Sequence, residues 1–445
     1  MIGHRAGFPG VRLLPAACVV IANMVGTGVF TTLGFQVASL SSGFTILVLW
    51  AFGGLCAICG ALAYAELGAA IPRSGGEYAL LSRIYSRPVG FLAGWISMIA
   101  GFPAAVAVAA IAFGRYVHGI APTLDPKVCA VVMLLVTTLF HWRGVRSGSR
   151  FQTVATLLKL GLISGVVIFG LAAPWKGTAR FTPAPGDLSE ILSSPFAISL
   201  VFVMFAYSGW NAATYISGEL ANPARDVPRA LLLGTGVVVV LYLALNWFFL
   251  VSTPTADLRG QVEVGLIVGR QAFGPARGAA MGAVIAALLV SSVSSMIWIG
   301  PRVTMTIGED LPRLRVLARC SAEGAPRPAI VVQTLVTLLL MFTGTFEGVL
   351  IYLQFSLLLS SFVTAMGVYV LRRREPDLPR PVRAWGYPVT PAIFLAASLW
   401  MMVVVVAQRP AESLAGLASL VLGLALYGWA ARPVAVAAAT PGPGV

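Results

Sequence analysis

Charge is what this sequence has least of. Only 10% of its 445 residues are Asp, Glu, Lys or Arg, against about 25% in a soluble domain. That scarcity excludes a water-soluble globular protein. Histidine is nearly missing too: His4, His118 and His141 are scattered near the ends of apolar runs. They cannot build a metal centre, and an intramembrane hydrolase would lack its base or its paired ligands. The five cysteines (Cys18, Cys56, Cys59, Cys129, Cys320) show no disulfide or metal spacing, and Cys56 and Cys59 read as packing residues on one helix. No polar stretch exceeds a loop, which leaves no output domain for a sensor. Lysine numbers 3 beside 27 arginines, a composition that hints at a GC-rich bacterial genome.

What is present is apolar: 58% of residues are hydrophobic and the mean hydropathy is +0.88. This is the composition of an integral membrane protein. The net charge of +14 does not point to nucleic acid, because the arginines lie in short loops and not along one face. Apolar runs long enough to span appear near 13–38, 43–70, 89–118, 127–141, 151–173 and 193–219. Others follow near 229–252, 273–305, 328–346, 348–371, 388–408 and 412–431. Twelve spans place both termini on one side. With an inside N-terminus, 21 of the 30 basic residues fall on the cytoplasmic face, among them Arg5, Arg143, Arg146, Arg150 and Arg372–Arg374. This is the positive-inside pattern, with contact to anionic lipid as a secondary role of those loops. The first run is too long for a cleavable signal, so it is expected to remain as a span.

Two runs are interrupted. The first carries Met24-Val25-Gly26-Thr27-Gly28-Val29-Phe30 at mid-depth, and the sixth carries Phe205-Ala206-Tyr207-Ser208-Gly209-Trp210-Asn211. A membrane helix satisfies its own backbone, so an opening there presents bare polar groups to whatever fills the gap. The N–H groups of Gly26, Thr27 and Gly28 can hold an anion, and carbonyls of Phe205 and Tyr207 can hold an ammonium. Helix packing through small residues is the plainer reading of either motif alone. Together, as the first members of two five-helix sets, they read as a clamp for a zwitterion such as an α-amino acid.

Lys159 stands inside the fifth run, where a charge costs roughly 2.5–3.5 kcal/mol. It either snorkels to the interface or acts as a fixed or titratable charge against the first helix. The serines Ser291, Ser292, Ser294 and Ser295 of the eighth run either bond back to their own helix or face Lys159. Glu66 and Glu219 are expected to pair with loop arginines.

The chain resembles the amino acid–polyamine–organocation superfamily, in its L-amino-acid-transporter-like branch. The likeness runs over about residues 10 to 405. It is carried by Val25–Phe30, Pro72-Arg73-Ser74-Gly75-Gly76-Glu77-Tyr78, Phe205–Asn211 with Gly218-Glu219-Leu220, Gly300-Pro301-Arg302 and Leu371-Arg372-Arg373-Arg374-Glu375-Pro376. The resemblance implies an all-α, leucine-transporter-type fold of two inverted five-helix repeats (13–173 and 193–371), two further helices (388–431) and a cytoplasmic tail (432–445). It implies a substrate carboxylate on Gly26, Thr27 and Gly28, the amine near carbonyls of Met24, Phe205 and Ser208, and an aromatic gate at Phe205. Ala206, Tyr207, Gly209 and Asn211 complete the expected substrate site. Members with a lysine at the place of Lys159 work without sodium. Thr27 departs from the serine usual in the family. Eukaryotic members bond to a heavy subunit through an extracellular cysteine, and Cys129, inside the start of the fourth span, is a poor candidate, so no heavy subunit is expected.

The expected function is sodium-independent transport of small or medium neutral L-amino acids across a bacterial inner membrane, by exchange or proton symport, with no cofactor and no metal. Neutral substrates follow from the lack of mid-depth charges other than Lys159. A polyamine carrier is the rival, but its substrate has no carboxylate to use the Gly26–Gly28 donors.

Overall fold

The computed structural model of the chain describes residues 12–142, 148–171, 175–321 and 324–432. Arg5, Arg143, Arg146 and the tail beyond Arg432 lie outside them, as do the side chains of Arg150 and Glu219. In chain order the main helices are α1 (Leu13–Met24), α2 (Gly43–Ala70), α3 (Arg87–Ile120), α4 (Pro126–Trp142), α5 (Gly148–Gly170) and α6 (Ser194–Tyr207). After them come α7 (Pro223–Ser252), α8 (Pro275–Asp310), α9 (Arg327–Thr343), α10 (Phe346–Arg374), α11 (Val389–Gln408) and α12 (Pro410–Ala430). Nine helical segments among the described residues are long and apolar enough to cross a membrane. The helices α4 and α9, and the described apolar part of α5 (Thr156–Gly170), are shorter and stand where the fourth, ninth and fifth runs were read. The chain is an all-helical, multi-pass membrane protein.

Local chemistry sets the boundaries. Ser42 opens α2 by accepting the Thr45 N–H at 3.1 Å, and Thr345 opens α10 by accepting that of Gly348 at 3.0 Å. Pro195, Pro223 and Pro275 occupy the first turns of α6, α7 and α8, where an N–H would have no partner. α1 stops at Met24 because Val25 leaves helical geometry, and helix resumes only over Gly28–Thr31 and Leu33–Ser39. α6 stops at Tyr207: Ser208 is extended, and Gly209 takes φ of +99°, a conformation that favours glycine. A 3₁₀ stretch, Ala212–Glu219, follows.

With α3, these two interrupted segments are the best buried of the spans, 78% for Ser194–Ser217 and 72% for both Leu13–Thr31 and α3, whereas α12 is only 22% buried. The centre is therefore built around the breaks. α1 packs on α5 and α7, α2 on α7, and α3 on α8. Two features had no counterpart in the sequence reading. The apolar helix Val264–Phe273 lies in the α7–α8 connection, and α3 widens into a π turn over Ser97–Gly101. Pro103, which has no N–H to return to the preceding turn, follows that widening directly.

Candidate functional site

The two breaks meet. A Cβ on Gly28 would stand 2.4 Å from the Cα of Ala206, and one on Gly209 would stand 2.8 Å from Asn23. Only glycine permits either approach. Tyr242 of α7 joins them from the side: its hydroxyl lies 2.6 Å from the Met24 carbonyl and 3.2 Å from that of Ala206, and the Gly26 N–H faces the same oxygen. Tyr242 was absent from the expected site, since nothing in the sequence sets it apart from other span tyrosines.

The tight contact corrects part of the sequence reading. The carbonyl of Phe205, expected to be free, accepts the Ser208 N–H at 3.0 Å, and that of Met24 already accepts from Tyr242. A cavity of about 90 Å³ opens beside the breaks, lined by Asn23, Met204, Ser208, Gly209, Asn211 and Gln354 among others. Of the expected residues, Ser208, Gly209 and Asn211 reach it. Met24, Gly26, Thr27, Gly28, Phe205, Ala206 and Tyr207 do not, because the α6 backbone and the Tyr242 hydroxyl lie over the first break. Among the described residues no charged side chain lines the cavity.

Lys159 does not snorkel. It is 1% exposed, and its Nζ donates to the Val25 carbonyl at 3.1 Å and to Ser292 Oγ at 2.8 Å. The Lys159 Nζ thus links the first break to α8. Of the four serines only Ser292 meets it. Ser294 bonds to Nε2 of His141 on α4 at 2.8 Å, Ser295 donates back to the Ser292 carbonyl, and buried Ser291 Oγ has no partner. A helix turns about 100° per residue, so consecutive serines point at different neighbours.

Glu77 is a second centre that the sequence reading used only as a motif position. It is 2% exposed and takes hydrogen bonds from Tyr64 (2.5 Å), Ser361 (3.0 Å), Asn211 (3.3 Å) and Ser360. Two of these, Asn211 and Ser361, line the cavity. Burial holds the Glu77 carboxyl above its ordinary value, against the opposing pull of those donors. Such a group keeps its proton in the folded protein after the unfolded chain has lost it. Its stabilising share is complete below the unfolded carboxyl value of about 4.3 and is lost as pH rises towards the raised folded value. Wild-type protein should therefore lose thermal stability relative to Glu77→Gln as pH rises from about 4. A difference between the two that is constant with pH would contradict this.

Glu66 pairs with loop arginines as expected. Arg372 grips it through Nε (2.8 Å) and Nη2 (2.6 Å), Arg380 stands 3.5 Å away, and the Ala384 N–H donates at 2.7 Å. Arg372 is thus more than a topology signal.

The chain's likeness to known proteins agrees with this geometry. The family model described as amino acid permease matches residues 12–426. The b(0,+)-type amino acid transporter 1 of Mus musculus is 29% identical across 95% of this chain and 89% of its own length. The large neutral amino acids transporter small subunit 2 of Homo sapiens is 28% identical across 94% of this chain and 79% of its own. The latter is by its name a subunit, which runs against the expectation that a chain of this kind has no heavy partner. These are transporters and not enzymes. With the match reaching all twelve helices, the chain belongs to the amino acid permease family, within the amino acid–polyamine–organocation superfamily.

Proposed function

We propose that this chain carries neutral L-amino acids across a bacterial inner membrane, without sodium, by alternating access. The observation that carries the reading is the meeting of two broken helices beside a cavity that no charged side chain among the described residues lines. A cationic or polyamine substrate would call for acidic lining, and the nearest carboxylate, Glu77, is shielded by Asn211 and Ser361. We read the nine long spans together with α4, α5 and α9 as twelve spans in two repeats, and the arginine-rich loops support cytoplasmic termini. In this reading Gly26, Thr27 and Gly28 receive the substrate carboxylate once Tyr242 gives up the break, while the carbonyl of Ser208 and the Met24 carbonyl that Tyr242 releases receive the amine. The first and sixth spans then rock against the remaining helices.

Lys159 supports sodium independence. Its ammonium occupies the space between Val25 and Ser292 as a built-in cation. Proteoliposome uptake measured with and without sodium tests this point. Equal rates are expected, and a rate that vanishes without sodium would overturn it. In the same vesicles, a requirement for internal amino acid marks exchange, and stimulation by external acid marks proton symport.

A further inference from the structure

Four polar side chains of the cavity wall have donors already engaged within the protein. Asn23 donates to the Val19 carbonyl at 2.8 Å and Ser97 to the Ala93 carbonyl at 3.1 Å. Ser361 and Asn211 both donate to Glu77. At these four positions the wall offers acceptor oxygens to a ligand.

Gln354 on α10 differs from all of these. It is 3% exposed, makes no hydrogen bond among the described residues, and its Oε1 is buried without a partner. One turn along α10 the lining becomes the apolar pair Leu357 and Leu358. A buried amide oxygen left unmet costs about 1–3 kcal/mol. Such a group is retained where a ligand supplies its partner, and a site built to bond a substrate O–H or N–H discriminates strongly against the analogue lacking it.

We propose that Gln354 reads the substrate side chain, and that this site prefers neutral amino acids bearing a hydroxyl or carboxamide, which donates to the Gln354 carbonyl. The inference rests on the transport reading above and narrows its substrate class. Hydroxyl and carboxamide side chains carry a donor for Gln354 Oε1, which no described residue meets. Purely aliphatic side chains of the same shape leave Gln354 unmet.

The test uses the full chain in liposomes and two near-isosteric pairs, threonine against valine and asparagine against leucine. Wild-type protein should favour the polar member of each pair at least about tenfold in kcat/KM. Gln354→Leu should bring both ratios towards one while valine and leucine uptake persists, and Gln354→Met should do the same with a side chain of similar length. Wild-type ratios near one overturn the proposal and need no variant. Ratios unchanged in the variants overturn it as well. A uniform fall for all four substrates also overturns it, because Gln354 would then hold the shared α-amino group or the helix itself. If wild-type protein moves no amino acid at all, the transport reading fails instead.

Discussion

Lys159→Ala is expected to lower amino acid uptake about 10- to 100-fold. This is the kinetic equivalent of losing a buried, charge-assisted hydrogen bond worth about 1.5–3 kcal/mol. The ammonium has two partners, the Val25 carbonyl at the opened end of α1 and Ser292 of α8. Alanine removes both links and leaves the Val25 carbonyl facing apolar surroundings at mid-membrane depth, where no water relieves it. The break then loses the contact that fixes its position relative to α8. Lys159→Gln separates the causes, since an amide can still reach Ser292 but carries no charge. If glutamine restores most of the uptake, hydrogen bonding suffices; if it behaves like alanine, the positive charge is required. Wild-type uptake by Lys159→Ala in well-folded protein would remove this residue from the mechanism.

Glu66→Ala should have the largest effect on stability, a loss of about 3–5 kcal/mol, because it strands buried cationic partners. Arg380 is 5% exposed and Arg372 23%, and both are held by a carboxylate that is itself 1% exposed. Arg372 also stacks 3.7 Å from the ring of Tyr387, and the Ala384 N–H donates to the same carboxylate, so Glu66 ties the end of α10 to the connection that leads to α11. The penalty is the cost of leaving guanidinium charge without its counter-ion, and it exceeds what the intact pair contributes. Denaturant or thermal unfolding in detergent measures it. A Glu66→Ala variant as stable as wild type would mean that water reaches Arg380 freely.

The breaks were legible because their cause is local. Gly26-Thr27-Gly28 and Ser208-Gly209 disrupt otherwise continuous apolar helices, and backbone chemistry alone makes such interruptions conspicuous. Lys159 stood out for the same reason, as a charge where charge is costly. Which serine it meets did not, because the choice among Ser291, Ser292, Ser294 and Ser295 depends on how α8 is rotated against α5. Tyr242, Gln354 and Asn23 were not legible at all. Each is an ordinary polar residue on a span, and its role comes from contacts made by residues far apart in the chain, such as Tyr242 with Met24. The serine-flanked carboxylate at Glu77 was hidden likewise: its partners Tyr64, Asn211 and Ser361 come from three separate segments. The free carbonyl expected at Phe205 failed for a simple reason. A helix that ends in a tight turn uses its last carbonyls for that turn, and Ser208 takes this one.

The most direct test of the central claim is counterflow uptake. Purified protein would be reconstituted in liposomes loaded with unlabelled neutral amino acids, in sodium-free buffer, and the entry of a labelled amino acid panel followed. Saturable accumulation of at least one neutral L-amino acid, absent from protein-free vesicles, is the predicted result. No protein-dependent uptake of any amino acid, with or without sodium or a pH gradient, would contradict the account.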